Sequence, residues 1–220
     1  MTKKRIAIVG AGGFAREVEW LIRDINRAGP AYEFLGFVVS DLSKLGEHDS
    51  RDQVLGDYDW LDNSLGTADA LAIGIGTPGA RLKVGDELSD RFPGIEWPTL
   101  VHPSVILDFN SSEVGHGVLL CAGTIGTVNL RIGSFSMVNL ACTLGHEAQL
   151  GRGCVLNPTV NVSGGVRMGD GVLVGTGAQI LQYVSLGDKA VVGAGAVVTK
   201  DVEPEGTVVG VPAKPLGKKA

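Results

Sequence analysis

A period of six residues governs the second half of the chain. Stepping by six from Val114 reaches Leu120, Gly126, Ile132, Val138, Leu144, Leu150, Leu156, Val162, Met168, Val174, Ile180, Leu186, Val192 and Val198, and only Gly126 interrupts the apolar series. Four residues after each of these runs a second column, Val118, Thr124, Leu130, Ser136, Cys142 and onward to Val202, mostly small or β-branched. Six matches neither the 3.6-residue helical turn nor a simple alternation, so the unit is a short strand followed by a turn. Units of this length coil into a parallel β-helix. With two inward residues per unit, three units close a triangular turn of 18 residues, and the fifteen units present make about five coils. Such an interior is narrow, which accounts for Phe109, Phe135 and Tyr183 being the only aromatic residues between positions 100 and 220. The residue after each large apolar position is commonly glycine, as at Gly115, Gly133, Gly145, Gly151, Gly169, Gly175, Gly187 and Gly193, and these glycines are expected to form the bends.

Composition bounds the rest. A chain of 220 residues fits one or two domains, and 44% hydrophobic residues suffice for a solid core. The net charge of −5 gathers in the first part, where residues 1–98 carry 11 Lys and Arg against 16 Asp and Glu, while residues 99–220 carry 8 against 8. No basic surplus points to nucleic acid. The run after Arg5 is cut by Gly10, Gly12 and Gly13 and then by Arg16 and Glu17, so it reads as a buried strand and not as a signal peptide. No stretch is long enough to span a bilayer, and a cytoplasmic location is expected. Cys121, Cys142 and Cys154 do not form a disulfide framework, and Cys142 and Cys154 fall in the small inward column, where a reduced thiol packs as a hydrophobe.

Residues 5–9 predict a strand that runs into Gly10-Ala11-Gly12-Gly13-Phe14-Ala15, with a helix following through Val18, Leu21, Ile22 and Ile25 to Gly29-Pro30. Residues 34–39 and the segment from Leu71 read as further strands, and residues 78–91 as a helix. That order implies a small parallel sheet of the Rossmann kind. Residues 93–104, with Pro93, Pro98 and Pro103, read as a hinge into the coils. The glycine loop suits either a phosphate held at a helix N-terminus or a tight turn that simply needs small residues. Asp41 lies some thirty residues past Gly10, too far for the usual NAD ribose contact at ~20, so a mononucleotide is the more natural guest.

Taken together, the Gly-Ala-Gly-Gly opening, Val101-His102-Pro103-Ser104, the coils with Gly145-His146-Glu147, and Gly210-Val211-Pro212-Ala213-Lys214 resemble the bacterial sugar O- and N-acetyltransferases. That family includes sialic-acid O-acetyltransferases and N-acetyltransferases of nucleotide-linked 4-amino-6-deoxy sugars. The resemblance implies an α/β plus all-β chain: a Rossmann-like domain over 1–98 that holds a nucleotide-linked sugar, then a left-handed parallel β-helix over 99–220. It implies a homotrimer with acetyl-CoA in the groove between neighbouring coils and no metal. Residue by residue, it carries the general base onto His146, the asparagine seven residues earlier onto Asn139, the glycine facing the thioester onto Gly164 and the turn near the CoA nucleotide onto Lys214; Glu147 is expected beside the base, Gly175 and Ala194 at acetyl-CoA, and Gly10, Gly12, Gly13, Phe14 and Asp41 at the sugar nucleotide. The chain departs from the family at Gly145, where some members carry an acid, at Val155, where some carry a second histidine, and at Phe14, where histidine is frequent.

His146 draws attention without the resemblance. It lies two positions past inward Leu144, at a corner where packing does not require it, although a solvated surface histidine fits the same place. With Glu147 next to it, the imidazole is equipped to take a proton from an amine or hydroxyl attacking a thioester. His48, His102 and His116 read as structural or solvated. His116 and His146 stand thirty apart, which is not a whole number of coils, so a metal site built from coil histidines is not expected. Transfer to an amino sugar is the leading expectation, with sugar O-acetylation and a non-catalytic nucleotide-sugar scaffold as alternatives. The tail leaves the six-residue period after Asp201 and is expected to cap the coils, with Lys200, Lys214, Lys218 and Lys219 facing anionic phosphates.

Overall fold

The computed structural model describes residues 2–63 and 66–217. Lys218 and Lys219, part of the expected basic cluster, lie outside the described residues. The N-terminal part alternates β1 (Lys4–Val9), α1 (Gly13–Ala28), β2 (Tyr32–Val38), β3 (Val54–Gly56), α2 (Tyr58–Asn63), β4 (Ala70–Ile73) and α3 (Pro78–Arg91). The strands form one parallel sheet in the order β3-β2-β1-β4. Ile6, Ala7, Ile8 and Val9 of central β1 are at most 1% exposed, because helices cover both faces of the sheet and every position needs an apolar side chain. Gly10 turns the chain from β1 toward α1 at φ +110°, a conformation that glycine alone adopts readily. The sequence predicts three strands here and the structure has four. The additional β3 is only three residues long and, with α2, sits in a polar stretch too short to show periodicity.

The second part is a stack of triangular coils. Two-residue strands recur every six residues and pair in parallel 18 residues apart, as in Leu119, Met137, Val155, Leu173 and Val191. Three sheets result, one on each side of a prism. Both inward columns are buried as the period predicts, from Val118 and Leu120 to Val198 and Val202. The bends do not fall where expected. The left-handed residue comes third after each large apolar position, at Gly117, Gly123, Asn129, Phe135, Ala141, Glu147 and so on, with φ between +55° and +75°. Gly115, Gly133, Gly145, Gly151, Gly169, Gly175, Gly187 and Gly193 are glycines for another reason: the next coil, or the tail that covers it, passes directly over most of them. A Cβ on Gly145 would sit 2.5 Å from the Gly164 nitrogen, and one on Gly175 2.4 Å from the Ala194 nitrogen.

The expected hinge at 93–104 is already partly coil, since Leu100–Val101 pairs with Leu119–Leu120. The two parts share apolar surface there. Leu119, Met137 and Val155 point outward from their side of the prism into a cluster with Ala15, Val18 and Leu21 of α1. Val155 thus fills a contact between the two parts. Phe135 packs edge-on to Trp97 and His116 and lies against Gly85 of α3. Arg81 of α3, fully buried, donates to the carbonyls of Ile73, Ile75 and Phe135, joining sheet, helix and coil. Burial lowers its guanidinium to about 10.

At the far end the tail covers all three sides. Thr207–Val209 pairs with Val191–Val192 and folds back antiparallel against Lys214–Pro215. Gly210 and Ala213 meet Val197, and Val202 bridges Leu186.

Candidate active site

Each coil turns three corners, and the corner residues stack 18 apart. One edge of the prism carries Val128 and Asn129, then His146 and Glu147, then Gly164 and Gly165, then Gln182 and Tyr183. Leu144 at the end of the preceding strand is buried, so the chain must turn outward immediately after it, and this leaves the His146 side chain 54% exposed. The imidazole folds over the next coil: a Cβ on Gly164 would lie 2.4 Å from Nε2 and 2.5 Å from Cε1, so only glycine fits beneath the ring. Nδ1 faces Glu147 Oε2 at 3.5 Å, which favours the proton on Nδ1 and leaves Nε2 free to accept one. The Gly165 amide donates to the His146 carbonyl at 2.8 Å, fixing the stacking of the two corners. The Gly164 amide donates to no protein acceptor among the described residues. A base and an unused amide donor one coil apart are the elements that attack on a thioester requires.

Asn139, Gly175 and Ala194 occupy a different edge. Asn139 is 6% exposed, and its Oδ1 accepts from the Leu140 amide at 2.7 Å. Gly175 is needed to let Ala194 pass, and the Ala194 amide, like that of Gly164, has no protein acceptor among the described residues. Within one chain the structure therefore brings together His146, Glu147 and Gly164 and separates them from Asn139, Gly175 and Ala194 by one side of the prism. Lys214 is exposed in the terminal hairpin.

In the N-terminal part a cleft of about 320 Å³ opens at the carboxyl ends of β1 and β2, lined by Gly10 and Asp41. Gly12 and Gly13 form the start of α1 beside it. Phe14 instead turns toward the junction of the two parts, where the Arg81 guanidinium lies 6.0 Å from its ring centre. Asp41 caps the short turn after β2, accepting from the Ser43 amide and hydroxyl and pairing with Lys44 at 3.1 Å, and these partners lower its carboxyl to about 2. Lys44 and Tyr58 also line the cleft. The sequence does not single them out, since Lys44 comes from the aperiodic segment after β2 and Tyr58 opens the six-residue α2, which is too short to show a period. Tyr183, 69% exposed with its ring lying on Gly165, is a further neighbour of His146 on the same edge, and its sequence signal is its place in the corner column.

The remaining histidines are engaged elsewhere. His102 Nδ1 accepts from the Ser104 amide and its Nε2 lies 3.3 Å from Asp24, while His116 contacts Ser134. Burial raises the thiols of Cys121 and Cys154 to about 12 and that of Cys142 to about 11, far from a nucleophilic thiolate at neutral pH. Among the described residues no group of three or more His, Cys, Asp or Glu is placed to hold a metal ion, and no helix is long and apolar enough to cross a membrane.

Comparison with known proteins covers both parts. The PglD N-terminal domain model matches residues 5–88, and the bacterial transferase hexapeptide (six repeats) model matches residues 165–200. WeeI from Acinetobacter baumannii is 32% identical, with a TM-score of 0.81 over 97% of this chain and 100% of that one. A histidine-to-asparagine mutant of perosamine N-acetyltransferase from Caulobacter crescentus, in complex with CoA and GDP-perosamine, is 27% identical, with a TM-score of 0.85 over 99% of each chain. The acetyltransferase domain of PglB from Neisseria gonorrhoeae, in complex with acetyl coenzyme A, is 25% identical, with a TM-score of 0.82 over 98% of this chain and 100% of that one.

Proposed function

The chain belongs to the left-handed β-helix, hexapeptide-repeat sugar acetyltransferases, and from that membership we propose that it moves the acetyl group of acetyl-CoA onto the amine of a nucleotide-linked 4-amino-6-deoxy sugar. The observation that carries this reading is the imidazole of His146 seated over Gly164, one coil from a donor-ready amide, in a chain that superposes along its length on an enzyme holding CoA and GDP-perosamine. In the reaction, His146 Nε2 takes a proton from the amine as its nitrogen bonds the thioester carbonyl carbon. The Gly164 amide holds the oxyanion. Collapse of that adduct breaks the carbon–sulfur bond, and the imidazolium returns its proton to the departing CoA thiolate. Glu147 keeps the ring oriented and stabilises its protonated state. Transfer is direct, because all three thiols are buried and none accompanies His146.

Nucleotide binding falls to the N-terminal cleft, where Gly12 and Gly13 offer the start of α1 to phosphate and Gly10 and Asp41 line the wall. Phe14 serves the loop by anchoring its helix over Arg81. The separation of Asn139, Gly175 and Ala194 from His146 supports a homotrimer in which each edge faces the other edge of a neighbouring copy, so that acetyl-CoA lies between two chains with Lys214 near its phosphates. We assign the protein to the cytoplasm, the compartment that supplies both acetyl-CoA and nucleotide sugars.

The test is CoA release with matched nucleotide sugars bearing an amine or a hydroxyl at carbon 4. Release with the amine alone is expected. Release only with hydroxyl acceptors makes the protein an O-acetyltransferase, and binding without release in any case makes it a scaffold.

A further inference from the structure

Where α1 crosses the coils, its outer face carries Glu17 and Trp20, three residues apart and so on one side of the helix. Both are exposed, Trp20 at 40%. Beneath them, Leu21, His102 and Asn139 line a narrow crevice whose enclosed part is about 10 Å³. That is room for one hydroxyl or water and no more. The Glu17 carboxylate makes no ion pair or side-chain hydrogen bond among the described residues. Asn139 is nearly buried and spends its Oδ1 on the Leu140 amide, so its Nδ2 donors are the ones left to face the crevice. His102 is already engaged by Ser104 and Asp24.

An exposed tryptophan, an uncommitted carboxylate and a recessed amide donor form the composition of a sugar site. The indole covers the apolar face of a ring, while the polar groups read its substituents. Spacing along α1 supports the same guest. With a rise of ~1.5 Å per residue, Glu17 stands ~6 Å and Trp20 ~10 Å along the axis from the helix start at Gly13. A diphosphate held at that start places its sugar one to two turns further on.

We propose that this crevice is the subsite for the amine-bearing edge of the acceptor, with Glu17 as the residue that selects an amino sugar over its hydroxyl counterpart. The inference rests on the acetyltransferase reading above. Trp20 stacks on the ring, Asn139 Nδ2 donates to a neighbouring hydroxyl within the crevice, and Glu17 at the mouth accepts from the amine, where His146 of a second copy can reach it. A charged ammonium gains more from an unpaired carboxylate than a hydroxyl does. Glu17 thereby gathers the amino substrate from solution as its ammonium form; that form gives one proton to solvent to become the free amine, and His146 of the second copy takes the next as the nitrogen bonds the thioester carbon. This gives Asn139 a role on an edge of the prism that its own His146 does not share.

Calorimetric titration without acetyl-CoA tests it, with GDP-perosamine and a UDP-linked 4-amino-4,6-dideoxyhexose, each against its 4-hydroxy counterpart. Glu17→Gln should weaken binding of whichever amino sugar the protein takes by roughly tenfold, the scale of one charge-assisted hydrogen bond, and leave the hydroxyl sugar unchanged. Trp20→Ala should weaken both. Both side chains are exposed, so thermal melting should match the unsubstituted protein. If Glu17→Gln binds amine and hydroxyl sugars with the original preference, the assignment is overturned even where CoA release continues. If binding depends on Glu17 but no CoA is released, the subsite stands and the transferase reading falls.

Discussion

Gly164→Ala isolates the position of the base from every other component of the site. The new Cβ would lie 2.4 Å from His146 Nε2, where ordinary contact begins near 3.4 Å, so the ring must retreat by about 1 Å. It is free to do so, because the side chain is half exposed and Gly164 is not among the positive-φ residues, so alanine adopts its backbone without strain. The Gly164 amide survives the substitution, and with it the proposed oxyanion donor. Misplacement of a reacting group by about 1 Å costs on the order of 10² in rate. We therefore expect kcat to fall roughly 100-fold with a melting temperature within about 2 °C of the original. Steady-state CoA release and a thermal melt on the same preparation measure both. The neighbouring substitution Gly165→Ala provides the contrast: φ there is +68° and the Cβ would meet the Tyr183 ring at 2.4 Å, so it should lower the melting temperature while leaving His146 in place. If Gly164→Ala turns over at the original rate, proton transfer does not depend on Nε2 as it is seated here.

Four further outcomes follow from the geometry. His146→Ala should lower kcat by roughly 10²–10⁴, the range for loss of a general base, and Glu147→Gln by less, since the glutamate acts through the ring; equal losses in the two variants would place the proton transfer elsewhere. Light scattering at working concentration should return three times the 22.8 kDa chain mass, and a monomer would remove the second wall of the acetyl-CoA groove. Lys214→Ala should raise the KM for acetyl-CoA several-fold and leave that for the sugar nucleotide alone, and an unchanged value takes Lys214 out of the site. Truncation after Glu205 strips the strand that pairs with Val191–Val192 and should yield aggregates by size-exclusion chromatography, whereas a soluble trimer would show that the last coil needs no cover.

The coils were readable because each inward position repeats the same steric demand, so the signal accumulates over many turns. His146 and Gly164 could be matched by counting, since stacked corners differ by 18. The same count separates Asn139 from His146: seven residues is one side of the triangle plus one, which lands on the next edge. β3 and α2 were not readable, because three- and six-residue elements in a polar stretch leave too few positions for a period to emerge. Nor was the load on Phe135 and Arg81. An aromatic at a bend and an arginine in an amphipathic helix look like surface residues until the two parts of the chain meet around them.

The strict stacking of the corners makes the edge that bears His146 a graduated scale. Successive marks are one coil apart, ~4.8 Å, and each mark costs the gene 18 residues. Distance along this edge between His146 and the terminal hairpin that carries Lys214 is thus counted in whole coils and cannot be tuned by small insertions, which the ladder would expel as loops. On the proposed placement of acetyl-CoA, a lineage that gains or loses one coil between Gly165 and Asp201 must change the length of donor it spans by that increment, while the proposed sugar contacts, nearer the start of the prism, stay as they were.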